Sequence, residues 1–263
     1  MAKICPLFSG SSGNSYYISA GNTGILLDIG RSAKQIKEML EACQIDPKSL
    51  QGIFITHEHI DHVKGLRVFA SKFQIPVYAS AGTLQALEQM GELAKVTYHE
   101  IDCSGMTCGD LQIQPFPTSH DCAESFGYQI KTPDEHTITL ATDLGILTDT
   151  VKNALHRSDF AILESNHDVG MLQNGPYPYP LKRRILSDKG HLSNEACADI
   201  LPELVADGTT RIMLSHLSHE NNTPELALQT SLCALRVNGM QENVDYQLYV
   251  APRENKLYRS IVF

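Results

Sequence analysis

The sequence predicts a protein of the mixed α/β class, with two β-sheets packed face to face and helices outside. Strand-like segments outnumber helix-like ones along the 263 residues, and the helix-like segments fall in both halves of the chain. This distribution is typical of layered sheet-and-helix folds. Hydrophobic residues make up 42% and charged residues 19% of the chain, which excludes intrinsic disorder. Because no repeat or linker interrupts the pattern, we expect residues 1–263 to form one domain.

The first third of the chain alternates strands with helices. Apolar runs between Gly, Ser and Asn residues predict strands, and apolar residues three or four apart predict helices. Ser32 and Gln35 form a capping box where the first helix begins. We expect strands at 3–8, 16–19, 23–28, 52–55 and 77–79, and further helices at 63–73 and 82–90.

The remainder is predicted to begin with strands that have little helix between them and to end with two longer helices. Ser193 caps a helix at 193–204, and Pro224 lies in the first turn of a helix at 223–237. The stretch 166–180, which is rich in Gly, Pro and Tyr, is predicted as a long loop. We expect strands at 111–116, 126–130, 137–141, 160–163, 211–214, 246–250 and 256–262.

Composition excludes several classes of protein. No apolar run approaches the roughly 18 residues of a membrane helix, and the apolar stretch after Met1 is too short for a secretory signal, so we expect a cytoplasmic protein. Seven scattered cysteines without a Cys-x-x-Cys pair indicate reduced thiols. The net charge of −9 excludes a protein that binds nucleic acid over its whole surface. It is compatible with binding at a local basic patch.

A cluster of metal-ligand residues follows the predicted strand at 52–55, where residues 56–62 read Thr-His-Glu-His-Ile-Asp-His. Because side chains repeat every two residues in an extended segment, His57 and His59 point the same way and can hold one metal ion. Asp61 and His62 begin the next turn and face a second position. Imidazole and carboxylate ligands without thiolate suit Zn²⁺, with Mn²⁺ or Fe²⁺ as alternatives.

This cluster resembles the signature of the metallo-β-lactamase fold superfamily. The resemblance implies a four-layer αβ/βα sandwich with two divalent metal ions at its upper edge. It implies a first ion held by His57, His59 and His120, a second held by Asp61, His62 and His216, and Asp143 bridging both. Asp28 matches an aspartate that orients ligands from outside the coordination sphere. His219 is an alternative to His216 as this ligand. We favour His216 because it follows the predicted strand at 211–214 more closely.

Two divalent ions point to hydrolysis of an anionic substrate. They lower the pKa of water from 15.7 toward about 7, which supplies a bridging hydroxide at neutral pH, and they clamp the attacked centre. Asp61 is therefore expected to be catalytic. His191, within Gly-His-Leu-Ser-Asn, resembles the histidine of the phosphodiesterase branch and is expected to protonate the leaving oxygen.

Four further segments, at 9–15, 164–168, 175–178 and 217–222, combine with the His191 segment into a pattern that resembles the YycJ (WalJ) group of bacterial proteins. That resemblance implies a 5′-to-3′ exonuclease that acts on duplex DNA. Substrate contacts are expected in two places. The glycine-serine loop at 9–15 offers Ser11, Ser12 and Asn14, and the basic cluster at 182–184 offers Lys182 and Arg183. Because no added DNA-reading module is visible, binding is expected to be independent of sequence.

The sequence leaves other functions open. A small-molecule hydrolase, either a glyoxalase II-like thioesterase or a cyclic phosphodiesterase, is favoured by the acidic surface, since duplex binding recruits several phosphate contacts. A ribonuclease shares the same metal motif. A non-catalytic binding protein is disfavoured by the ligand-type residues at every expected place. The native metal and the oligomeric state are not predicted.

Overall fold

A computed structural model describes all residues from 1 to 263. The chain divides into two compact units. Unit 1 comprises Met1–Pro115, Cys122–His136 and Pro252–Phe263, and unit 2 comprises Phe116–Asp121 and Thr137–Ala251. None of the helices combines the length and the apolar character that crossing a bilayer requires.

Fourteen strands and nine α-helices make up the regular structure. The strands are β1 (Ala2–Phe8), β2 (Ser15–Ala20), β3 (Thr23–Leu27), β4 (Leu50–Phe54), β5 (Val77–Ala79), β6 (Tyr98–Glu100), β7 (Met106–Cys108), β8 (Leu111–Pro117), β9 (Phe126–Lys131), β10 (Thr137–Ala141), β11 (Phe160–Glu164), β12 (Arg211–Ser215), β13 (Gln247–Val250) and β14 (Ile261–Val262). The helices are α1 (Ala33–Ala42), α2 (Ile60–Val63), α3 (Leu66–Phe73), α4 (Ala81–Gln89), α5 (Asp149–Leu155), α6 (Val169–Asn174), α7 (Tyr179–Ile185), α8 (Asn194–Ala206) and α9 (Pro224–Val237).

Unit 1 is built on a mixed sheet of seven strands in the order β14-β1-β2-β3-β4-β5-β6. The strands from β14 to β3 are antiparallel to their neighbours, and those from β3 to β6 are parallel. Apolar side chains of α1 and α3, such as Leu40 and Phe69, join Leu26 and Ile53 of the sheet in one buried core. This burial is the main source of stability for the unit.

Unit 2 contains four parallel strands in the order β13-β12-β11-β10. The strand β11 is completely buried, as expected for a central strand of a parallel sheet. Its Leu163 belongs to a core that also includes Leu155 of α5, Leu201 of α8 and Leu235 of α9. Parallel strands end at the same edge of a sheet, so residues that follow β10, β11 and β12 lie near one another.

Several predicted elements differ from the structure. The expected helix at 63–73 is broken into α2 and α3 at Gly65, where a Cβ would lie 2.3 Å from the carbonyl oxygen of Arg31. The expected strand at 256–262 is wrong except for β14, because the Asn255 side chain bonds both backbone groups of Arg259 and folds the segment into a turn. The strands β6 and β7 and the helix α5 were not predicted.

The predicted loop at 166–180 is also wrong, because it contains α6 and the start of α7. Asp168 caps α6 by accepting a hydrogen bond from the backbone N–H of Met171 at 2.7 Å. A proline lies in the first turn of α7, where its fixed φ favours a helix. The Gly and Pro residues that suggested a loop therefore mark helix boundaries.

Ser32 is the N-cap of α1, since its side chain accepts a hydrogen bond from the backbone N–H of Gln35, but the reciprocal half of the predicted capping box differs, because the Gln35 side chain accepts from the Ser32 hydroxyl. We predict that Ser32→Ala lowers the free energy of unfolding by about 1 kcal/mol, because an N–H at the start of α1 loses its partner. Urea denaturation measures the change. Ser71→Ala, which removes a hydroxyl bonded only within its own helix, is the control. Equal stability of the two variants would contradict the prediction.

Candidate metal centre

Unit 1 gathers its histidines directly after β4. His57 and His62 are fully buried, and their ring centroids lie 4.1 Å apart. His59 is half-buried, with its ring centroid 4.6 Å from that of His57. The carboxylate of Asp61 lies 3.7 Å from Nε2 of His62. The four ligand-type residues of this motif therefore form one cluster in unit 1.

Asp28 fixes the orientation of two of these histidines. Its carboxylate accepts hydrogen bonds from Nδ1 of His62 at 2.7 Å and from both the backbone N–H and the hydroxyl of Thr56 at 2.8 and 2.9 Å. The Thr56 oxygen in turn lies 3.0 Å from Nδ1 of His57. Since the Thr56 proton goes to Asp28, its oxygen accepts from His57. Both rings therefore carry their proton on Nδ1, so that Nε2 carries the lone pair, which in His62 faces the side-chain nitrogen of Asn14 at 3.1 Å.

The glycine-serine loop packs against this cluster. Asn14 is buried, and its side-chain nitrogen lies 3.1 Å from Nε2 of His62, while its oxygen accepts a hydrogen bond from Gly10. Ser11 and Ser12 are exposed, and the Ser12 hydroxyl accepts a hydrogen bond from Arg31 at 2.8 Å. Asn14 thus contacts His62 of the cluster, whereas the two serines face solvent.

A glycine makes this close approach possible. A Cβ on Gly30 would lie 1.7 Å from the carbonyl oxygen of Asp61 and 2.5 Å from the backbone nitrogen of Asn14. Backbone hydrogen bonds of 2.8 Å join the same three residues. Any side chain at position 30 would therefore push the loop away from the cluster.

Unit 2 carries a second cluster at the ends of its strands. His120 follows β8, Asp143 follows β10 and His216 follows β12. Asp143 Oδ1 lies 3.8 Å from Nε2 of His120 and 3.5 Å from Nδ1 of His216. His191 is 17% exposed, and its Nδ1 lies 3.6 Å from the same carboxylate oxygen. The rival residue His219 is 69% exposed and pairs with Glu220, outside this cluster.

Glu164, at the end of β11, is a site residue that the sequence reasoning missed. It is completely buried, and one carboxylate oxygen accepts hydrogen bonds from Nδ1 of both His191 and His216 at 2.8 Å. The other oxygen accepts from the backbone of Leu144 and Leu192. Burial alone raises the pKa of this carboxyl, but the charge of His191 and the bonds from both histidines lower it to about 2. A carboxylate that ends an otherwise apolar buried strand was the available signal.

The third histidine of unit 2 is oriented by backbone. Nδ1 of His120 lies 3.1 Å from the carbonyl oxygen of Gly190, which can only accept a hydrogen bond. The proton is therefore on Nδ1, and Nε2 carries the lone pair. His120 thus has the same tautomer as His62.

The donor atoms fit divalent metal ions. Two ligands of a tetrahedral zinc ion lie about 3.4 Å apart, close to the 3.7 Å between Asp61 and His62 and the 3.8 Å between Asp143 and His120. Imidazole and carboxylate donors at this spacing are typical of catalytic zinc and manganese sites.

The predicted basic contacts differ in their surroundings. Nζ of Lys182 donates hydrogen bonds to the carbonyl oxygens of Gln173 and Gly175 at 2.8 and 2.7 Å, and so fastens α7 to the end of α6. Arg183 is exposed on α7. Arg184, the third residue of the predicted basic cluster, forms a two-point ion pair with Asp121.

A family model for the beta-lactamase superfamily domain matches residues 23–217. The chain belongs to the metallo-β-lactamase superfamily. Over 251 residues it is 38% identical to Exodeoxyribonuclease WalJ of Streptococcus pneumoniae (serotype 2, strain D39), which covers 94% of this chain and 93% of that protein. Exodeoxyribonuclease YycJ of Bacillus anthracis is 36% identical over 245 residues, or 92% of each chain.

A solved structure shares the fold of this chain. Zn²⁺-bound PqqB from Methylobacterium extorquens superimposes with a TM-score of 0.75 over 100% of both chains at 15% sequence identity. At this identity the likeness shows the fold alone. The α/β fold class, the superfamily and the metal-dependent hydrolase class that the sequence predicted are thereby confirmed.

Glu164 offers a direct test of this arrangement. We predict that Glu164→Gln lowers metal affinity about 10–100-fold, because an amide replaces the carboxylate that holds Nδ1 of two histidines. Zinc competition with a chromogenic chelator measures the affinity. Glu203→Gln is the matched control. Glu203 is 58% exposed, and its carboxylate pairs with His156, which lies outside both clusters. Equal metal affinity in the two variants would show that Glu164 does not orient the ligands.

Proposed function

We propose that this protein is a dinuclear-metal-dependent phosphodiesterase, and specifically a 5′-to-3′ exonuclease that degrades duplex DNA in the cytoplasm without sequence preference. The similarity to WalJ and YycJ over more than nine-tenths of the chain carries the proposal. We further propose that residues 1–263 form one hydrolase domain, because the family match at 23–217 runs through both units.

The clusters of units 1 and 2 supply the ligands of two divalent ions, Zn²⁺ or Mn²⁺, with Fe²⁺ as an alternative. We assign His57, His59 and His120 to one ion, Asp61, His62 and His216 to the other, and Asp143 to both. Superfamily membership supports this assignment, together with the tautomers that Asp28, Glu164 and Gly190 impose. When bound, the ions activate water and stabilise charge on the attacked phosphate.

His191 is placed to move a proton. Its Nδ1 donates to Glu164, and its ring remains 17% exposed. Because Nδ1 is bonded to this buried carboxylate, Nε2 is the ring nitrogen that remains to give a proton to the leaving oxygen. Glu164 therefore serves His191 as well as His216.

The DNA strand would run along the exposed side of α7. Tyr179 is 73% exposed and offers a ring for base stacking, and Arg183 lies one turn further along the same helix. Lys182, which is bonded to α6, adds charge but is less able to turn toward a phosphate. Ser11 and Ser12 offer hydroxyls from the glycine-serine loop, and Asn14 acts through its contact with His62.

A second candidate is a small-molecule hydrolase, either a thioesterase or a cyclic phosphodiesterase. The observation that favours it is the net charge of −9, since a strongly acidic chain repels the extended phosphate backbone of DNA. A ribonuclease would use the same metal centre and the same α7 surface.

An end-labelled linear duplex incubated with the manganese-loaded protein separates these functions. We expect mononucleotides released from the 5′ end, and no comparable cleavage of RNA, a thioester or a cyclic nucleotide. Intact DNA together with rapid thioester cleavage would reverse the ranking. The Asp61→Ala variant controls for contaminating nucleases, and we expect it to retain its fold but lose hydrolysis, because a metal ligand is removed.

His191→Ala distinguishes a proton donor from a metal ligand. We predict that the variant cleaves DNA about 100-fold more slowly, in the range expected for loss of a general acid, while two metal ions per chain are retained. Turnover under single-turnover conditions and metal content by plasma mass spectrometry are measured together. Loss of one ion would reassign His191 as a ligand.

Arg183 tests the DNA-binding surface. We predict that Arg183→Glu weakens duplex binding. It should also reduce the slope of log affinity against log salt concentration by about one, because one phosphate contact and the counterion released by it are lost. Fluorescence anisotropy over a salt series gives the slope. Arg157→Glu, at another exposed arginine of unit 2, is the charge-matched control. Identical slopes in both variants would place the DNA elsewhere.

A further inference from the structure

Asp121 lies beside the metal-binding atom of His120. The two residues are consecutive, and Oδ1 of Asp121 is 3.5 Å from Nε2 of His120. This is the spacing of two ligands on one tetrahedral ion, about 3.4 Å, and is shorter than the 3.8 Å between His120 and the assigned ligand Asp143. Asp121 is therefore within reach of an ion held by His120, although it belongs to none of the ligands assigned above.

Arg184 occupies both oxygens of this carboxylate. Its Nη2 donates a hydrogen bond to Oδ1 at 2.9 Å, and its Nε donates one to Oδ2. Such a two-point pair fixes the plane of the carboxylate as well as its charge. Arg184 is itself held by its helix, because Ile185 is buried and Lys182 fastens α7 to α6.

Stability alone does not explain the pair. The Asp121 and Arg184 side chains are 30% and 49% exposed, and ion pairs at this exposure contribute little to folding. The local consequence is larger, because an unopposed carboxylate beside His120 would bind the ion. A further carboxylate would fill a coordination position that a catalytic metal keeps open and would reduce the positive charge that attracts a phosphate.

We propose that Arg184 is a positioning residue that keeps Asp121 from coordinating the metal ion at His120. The inference rests on the proposed metal centre and deepens it. It gives Arg184 a function distinct from those of its neighbours, since Lys182 bonds α6 and Arg183 is exposed for DNA.

A double-mutant cycle tests the proposal. Zinc affinity is measured by chelator competition for the wild type, Arg184→Ala, Asp121→Asn and the double variant, with thermal melting to verify the fold. We expect Arg184→Ala to bind zinc about tenfold more tightly, because a charged ligand is released to the ion, and to cleave DNA more slowly. Asp121→Asn alone should leave zinc affinity within about twofold of the wild type, and the double variant should restore both affinity and turnover.

Lys189→Ala is the control for general charge, since Lys189 is an exposed cation of the same segment. Unchanged zinc affinity in Arg184→Ala would overturn the proposal. So would a loss of DNA cleavage in Arg184→Ala that is equally large in the double variant. Weaker zinc binding in Asp121→Asn alone would do so too, by making Asp121 a resident ligand. A wild-type protein that takes up no zinc would instead overturn the proposed centre, and the inference with it, before any variant is compared.

Discussion

The candidate centre depends on oxygen atoms that accept the Nδ1 protons of five histidines: His57, His62, His120, His191 and His216. Asp28 serves His62 directly and His57 through Thr56, and Glu164 serves His191 and His216. Each acceptor selects one tautomer and one ring orientation, so that Nε2 is the atom offered to a metal or to a substrate. Without these acceptors the same rings would be able to rotate and to change tautomer.

Backbone conformation is a second constraint on the clusters. Asp28, Asp143 and His216 have φ angles of 60°, 57° and 54°. These values lie in the left-handed region, which residues other than glycine seldom adopt. Each follows a buried strand, where the chain must turn sharply for its side chain to join the cluster. The hydrogen bonds and the buried strands offset this strain, as is common at functional sites.

The clustering of ligand-type side chains at 57–62 could be predicted from the sequence because it is local. His57 to His62 lie within one turn after an apolar strand, and Asp143 and His216 follow strands with clear apolar patterns. The roles of Glu164 and of Asp121 with Arg184 could not be predicted, because they depend on residues far apart in the chain that the fold brings together. The helix α7 was missed since its proline was interpreted as a loop signal and not as a first-turn residue.

Crystals of the protein grown with zinc or manganese, with diffraction data collected at the absorption edge of the metal, would locate the metal ions. We expect two anomalous peaks per chain about 3.5–4 Å apart, one beside Nε2 of His120 and the other beside Nε2 of His62. A single peak at an unrelated surface histidine, or no peak at saturating metal, would contradict the proposed metal centre.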